Sequence, residues 1–138
     1  TLRLFDTFAG LPEGSEEDGN VFRKSQYACS RPAVENYLKD FKNIKYYEGL
    51  FPDSTEGVDE VHEARYSLAH FDVDLYEGTL ACLDFFYPRM LPGGVMITHD
   101  YSILAGVKQA FDEFFSDKPE GLIEMPTTQC MVIKLAEQ

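Results

Sequence analysis

Basic residues are scarce in this chain: 12 Lys and Arg stand against 24 Asp and Glu, a net charge of −12. That balance repels polyanions and excludes nucleic acid and an anionic membrane surface as partners. Cysteine is scarcer still. Cys29, Cys82 and Cys130 are odd in number, far apart and without Cys-x-x-Cys spacing, which excludes a disulfide framework and a cysteine zinc site. They read as the reduced thiols of a soluble cytoplasmic protein. No apolar run approaches the roughly 18 residues of a membrane-spanning helix, and no signal peptide opens the chain. Internal repeats and low-complexity segments are also lacking. Residue 1 is Thr, and Leu2-Arg3-Leu4-Phe5 already reads as a strand without preamble, so residues 1–138 are expected to be one partial domain, a piece of a longer protein.

What is there centres on two stretches, Ser67–Tyr76 (SLAHFDVDLY) and Val95–Tyr101 (VMITHDY). In each, an apolar run suited to a buried strand ends abruptly in oxygen or nitrogen ligands: Asp72 and Asp74 in the first, His99 and Asp100 in the second. Between them, Leu80, Leu83, Tyr87 and Met90 recur at three- and four-residue steps, and Pro92-Gly93-Gly94 closes the segment. Strand, helix, stop and strand make a right-handed crossover between parallel neighbours. Both acidic ends therefore emerge at one carboxyl edge, where open α/β sheets bind ligands.

The rest of the chain fits the same plan. Thr1–Phe8 predicts a strand with Asp6 near its carboxyl end. Glu13–Gly19, rich in Gly, Ser and acid without periodicity, reads as a hydrated surface loop. Ser30 as N-cap, Pro32 in the first turn and the stripe Val34, Tyr37, Leu38, Phe41 predict a helix over about 31–41. Asn43–Leu50 reads as a strand, with Gly49 where the backbone turns or lets something approach closely. The spacing of Val107, Ala110, Phe111 and Phe114 predicts a helix over 105–115. Residues 122–125 and 129–135, split by Pro126-Thr127-Thr128, read as an antiparallel pair. His62 and His70 have no evident partner.

Taken in order, Leu4-Phe5-Asp6-Thr7-Phe8-x-Gly10-Leu11-Pro12, Gly49-x-Phe51-Pro52-Asp53, Phe71-Asp72-Val73-Asp74-Leu75-Tyr76-Glu77-x-Thr79, Pro92-Gly93-Gly94 and Asp100-Tyr101 form a set. This set closely resembles the macrocin O-methyltransferase family, S-adenosylmethionine-using, metal-dependent enzymes that methylate sugar hydroxyls. The resemblance covers nearly the whole chain. It implies a Rossmann-like methyltransferase fold, mostly parallel with a C-terminal antiparallel pair, in which the first strand and its Gly-rich turn precede Thr1 and are missing.

The resemblance further implies roles for single residues. Asp6 would accept hydrogen bonds from the cofactor ribose, and Gly49 with Leu50 would form the turn beside the adenine. Asp72, His99 and Asp100 would hold a divalent metal, Mg²⁺ or Mn²⁺, and Asp72 or Asp74 would take the proton from the hydroxyl of a small-molecule acceptor. Two departures stand out. His99 occupies a position where the family has Asp, which disfavours hard Mg²⁺ relative to Mn²⁺, Fe²⁺, Ni²⁺ or Zn²⁺. The missing Gly-rich turn leaves only the adenosine end of the cofactor with binding residues. The second reading is accordingly a non-catalytic, methyltransferase-like domain acting as a binding or assembly module. In the family's strand order, 3-2-1-4-5-7-6, the missing strand lies between the strands ending at Asp6 and Asp72. The gap is expected to close by direct pairing of Leu2–Asp6 with Leu68–Asp72, or by exchange of strands in a homodimer.

Overall fold

Two sheets, not one, carry the strands. The computed structural model describes residues 1–19 and 21–136. In chain order its main elements are β1 (Leu2–Asp6), α1 (Arg31–Tyr37), β2 (Ile44–Glu48), α2 (Asp59–His62), β3 (Tyr66–Phe71), α3 (Tyr76–Phe86), β4 (Met90–Thr98), α4 (Ala105–Phe115), β5 (Ile123–Glu124) and β6 (Cys130–Ile133). β1 and β2 pair in parallel, Asp6 opposite Glu48. β3 and β4 pair in parallel, and the antiparallel β6 and β5 complete the second sheet in the order β3-β4-β6-β5.

The core lies where α3 and α4 cover the second sheet. Thr79, Cys82, Leu83 and Phe86 are the buried face of α3, spaced as a 3.6-residue helix requires, and Val107, Ala110, Phe111 and Phe115 are that of α4. They meet Phe71 and Met96 from the strands. α4 spans the expected residues. Pro92-Gly93-Gly94, expected as a stop, lies inside β4, and a 3₁₀ turn at Tyr87–Arg89 ends the helix instead. The glycines serve a close approach: Gly93 N–H donates to Lys134 O at 2.8 Å, and a Cβ on Gly94 would lie 2.8 Å from Leu91 O. Among the described residues no helix is long and apolar enough to cross a membrane.

The expected direct pairing of Leu2–Asp6 with Leu68–Asp72 does not form, because side chains join the two sheets where backbone does not. Arg3 lies over the Tyr66 ring, and the Phe5 ring stands 6.0 Å from Phe86. Between the facing edges of β1 and β3 runs a groove of about 1000 Å³, lined by both strands and by Tyr27, Phe51, Cys82 and Phe86. Among the described residues no strand fills it. α1 is shorter than expected, and its stripe is only partly covered: Val34 and Leu38 are half-buried, whereas Phe41 is exposed and Tyr37 is 84% exposed.

Candidate active site

Parallel pairing of β3 with β4 brings the two acidic strand ends together. Phe71 is opposite Thr98, and the His99 amide donates to the Phe71 carbonyl at 2.8 Å, so Asp72 and His99 leave the sheet side by side. Immediately beyond, the backbone is forced. Asp74 has φ +60°, with Leu75 N–H donating to Val73 O at 2.7 Å across it, and Asp100 has φ +54°. A three-residue turn of this hand is rare and strained. Such strain persists where the surroundings over-determine it, typically at functional sites. All five non-glycine residues with positive φ among the described residues, Phe8, Ser25, Tyr27, Asp74 and Asp100, lie beyond the strand ends or in the loop that follows β1.

His99 Nδ1 lies 2.9 Å from Asp100 Oδ2 and 3.5 Å from Asp72 Oδ1. Nδ1 is nevertheless buried without a hydrogen bond of acceptable direction. A ring nitrogen and two carboxylate oxygens that converge in this way are suited to a shared cation when the nitrogen carries no proton. One donor atom from each of Asp72, His99 and Asp100 lies within 4.8 Å of the other two. Donors on opposite sides of a divalent ion at about 2.0–2.6 Å are spaced comparably, so the residues fit the ion. Contact with Asp100, opposed by burial and reinforced by Asp72, raises the proton affinity of His99. Asp74 joins the cluster from its turn: burial first, then the charges of Asp72 and Asp100, push its carboxyl up to about 6.

The expected adenosine-side residues also come together, at the ends of β1 and β2. Asp6 is exposed, and its Oδ1 accepts the Phe8 N–H at 2.6 Å, an Asx turn that leaves Oδ2 free. The Gly49 amide donates to Asp6 O at 3.0 Å. Gly49 has φ +131°, and a Cβ there would press on Ser54 at 3.0 Å, so only glycine fits this turn without strain. Leu50 is half exposed beside it.

Two residues escaped the sequence reading. Asp18, in the acidic loop read as hydrated, is buried and turned inward, although Glu13, Glu16 and Glu17 are exposed as expected. Its Oδ1 accepts the Tyr76 N–H at 2.7 Å and its Oδ2 accepts from the Ser15 amide and hydroxyl, so it caps α3 from 58 residues away. A Cβ on Gly106 would collide with Asp18 Oδ1 at 2.2 Å, which explains the glycine in the first turn of α4. An acid in an aperiodic Gly/Ser loop gives no local sign of such a long-range cap. His62, left without a partner, faces Thr55: its Nε2 lies 2.9 Å from Thr55 O and its ring stands edge-on to Phe85.

Two parallel strand pairs, one ending in an acid and the other in an acid–imidazole cluster, with an antiparallel C-terminal pair beside the second, are the plan of a Rossmann-like methyltransferase domain. Solved structures bear out the fold. The O-methyltransferase NovP superposes with a TM-score of 0.79 at 22% identity, covering 99% of this chain and 60% of that one. CalS11, a calicheamicin methyltransferase, gives 0.77 at 20% identity over 95% of this chain and 59% of that one.

The chain belongs to the macrocin O-methyltransferase (TylF) family, whose profile matches residues 1–129. Demethyldecarbamoylnovobiocin O-methyltransferase of Streptomyces niveus is 28% identical over 83% of this chain and 47% of its own length. The 8-demethyl-8-(2,3-dimethoxy-alpha-L-rhamnosyl)-tetracenomycin-C 4'-O-methyltransferase of Streptomyces olivaceus is 28% identical over 71% of this chain and 41% of its own length. The chain thus spans about half the length of the curated relatives it matches.

Proposed function

We propose that this chain carries the cation-binding and acceptor-activating part of an S-adenosylmethionine-dependent O-methyltransferase acting on a sugar hydroxyl. The observation that carries the reading is the convergence of Asp72 and Asp100 on the buried ring nitrogen of His99. Family membership supports the reaction class, the rhamnosyl group in the name of the Streptomyces olivaceus relative supports a sugar-bearing acceptor, and one structural neighbour, a putative methyltransferase from Streptococcus mutans, was solved with S-adenosylhomocysteine.

Asp72, His99 and Asp100 would hold the cation, which when bound lowers the pKa of a coordinated hydroxyl. Asp74 sits against that cluster with its carboxyl pushed up to about 6, so its carboxylate is placed to accept the hydroxyl proton. Asp6, whose Oδ1 already accepts the Phe8 amide, would offer its Oδ2 to the cofactor ribose hydroxyls, and the glycine at 49 would let the adenine approach bare backbone. An imidazole in the ligand set favours Mn²⁺ over Mg²⁺. Calorimetric titration should therefore show tighter binding of Mn²⁺ than of Mg²⁺, abolished by Asp72→Asn. Heat of binding from neither ion, or an unchanged titration in the variant, overturns the reading.

In this reading Asp6 and Gly49 serve the adenosine end of the cofactor. The expected outcome is that the 138-residue chain binds S-adenosylhomocysteine weakly, and that Asp6→Ala removes what binding there is. Tight binding that survives Asp6→Ala would place the cofactor elsewhere.

A further inference from the structure

The turn that presents Asp100 is held from two sides. From α4, Asp112 Oδ1 accepts the hydroxyl proton of buried Tyr101 at 2.5 Å, and Lys108 Nζ donates to both. From the turn between β5 and β6, Thr128 reaches across. Its carbonyl accepts the Ser102 N–H at 3.2 Å, and its hydroxyl donates to Asp100 Oδ1 at 3.3 Å. The two carboxylate oxygens are thereby divided. Oδ1 is taken up by Thr128, and Oδ2 faces His99 Nδ1.

We propose that Thr128 is a positioning residue for the cation site: its hydroxyl fixes the Asp100 carboxylate so that Oδ2 points at His99 and Asp72, making the C-terminal hairpin part of the site. The inference rests on the cation reading above and adds to it. Without the Thr128 hydroxyl the carboxylate loses its one side-chain hydrogen bond from outside the cluster among the described residues, and is free to turn toward Asp74. The strained backbone of Asp100 remains fixed by its own carbonyl, which accepts the Ile103 and Leu104 amides. The hydroxyl orients the ligand atom, whereas the main chain orients the residue.

Because valine keeps the shape of threonine and removes only the donor, Thr128→Val separates these two functions. The measurement is a Mn²⁺ titration of the whole chain followed by electron paramagnetic resonance of the free ion, with thermal melting alongside. Outer-shell partners of metal ligands typically set affinity by about 10- to 100-fold, so Thr128→Val is expected to bind Mn²⁺ at least about 10-fold more weakly, and Thr128→Ser to return within about threefold of the parent. Thr127→Val, altered at the neighbouring hydroxyl that accepts the Gln129 N–H, should bind as the parent does. Mn²⁺ affinity unchanged in Thr128→Val overturns the inference while leaving the cation site standing. Serine that fails to restore affinity overturns it too, since the hairpin's shape and not its hydroxyl would then matter. A parent chain that binds no Mn²⁺ removes the cation reading and the inference with it.

Discussion

Phe86→Ala is expected to lower the stability of the chain by about 3–5 kcal/mol, the usual range for truncating a buried aromatic, and to release β1 and β2 before the rest unfolds. Among the described residues no ladder joins the two sheets, so side chains do so, and the aromatic cluster between them is the largest buried part of that junction. Phe86 is its centre: its ring lies 6.0 Å from Phe5, 5.4 Å from Phe51 with the planes stacked, 5.0 Å from Tyr66 and 5.7 Å from Phe71. Phe5 and Phe51 belong to the first half of the molecule, Tyr66 and Phe71 to the second sheet. Urea unfolding combined with amide hydrogen exchange reads both parts of the prediction. Protection of residues 44–48 should fall well below that of residues 95–98. Phe111→Ala, equally buried but enclosed between α4 and β3, should destabilise by a similar amount and lower both regions together. Loss of protection in parallel in the two variants would show that the sheets are bound by something other than this cluster.

Glu120→Leu is expected to cost about 3–5 kcal/mol as well, by stranding a charge. The Glu120 side chain is fully buried, and Lys134 is nearly so; Nζ donates to Oε1 at 3.0 Å. Tyr87 and the Leu135 amide complete the carboxylate's partners. Burial pushes the Glu120 carboxyl up, but the hydrogen bonds from Lys134, Tyr87 and Leu135 outweigh it and hold it below the usual carboxylate range. A carboxyl depressed in the folded state contributes stability above its unfolded pKa and loses it as pH falls through the folded value. The acid limb of the stability profile should therefore flatten in Glu120→Leu. A paired replacement, Glu120→Leu with Lys134→Met, should recover most of the loss, since apolar pairs of similar volume substitute well for buried ion pairs. If the double variant is as unstable as the single one, packing and not charge was lost.

How far the sequence could be read follows the range of the interactions. α4 spans the expected residues because Val107, Ala110 and Phe111 mark one face at helical spacing, and that face is buried locally by α3 and Phe71. The cluster of Asp72, His99 and Asp100 was legible for a related reason: each acid or imidazole ends an apolar run, and parallel pairing places such ends together. What failed depends on distant partners. Asp18 looked like any acid of a solvated loop, and its burial is decided by the amide of Tyr76 and the missing side chain of Gly106. Pro92-Gly93-Gly94 looked like a helix stop because the partner of the Gly93 amide is the carbonyl of Lys134, just past the end of β6 and far along the chain. Thr128 carried no pattern at all, since a threonine in a turn donates wherever the fold brings an acceptor.

The positive-φ residues at the carboxyl edge set two demands on the protein against each other. A side chain in that backbone region costs roughly 1–2 kcal/mol, least for Asp and Asn and nothing for Gly. Phe8, Ser25, Tyr27, Asp74 and Asp100 all bear the strain without being glycine. A population of variants screened for heat resistance alone would accumulate glycine at these five positions, and at Asp74 and Asp100 each such gain removes a carboxylate from the cluster. Heat resistance and cation affinity select opposite residues along this one edge.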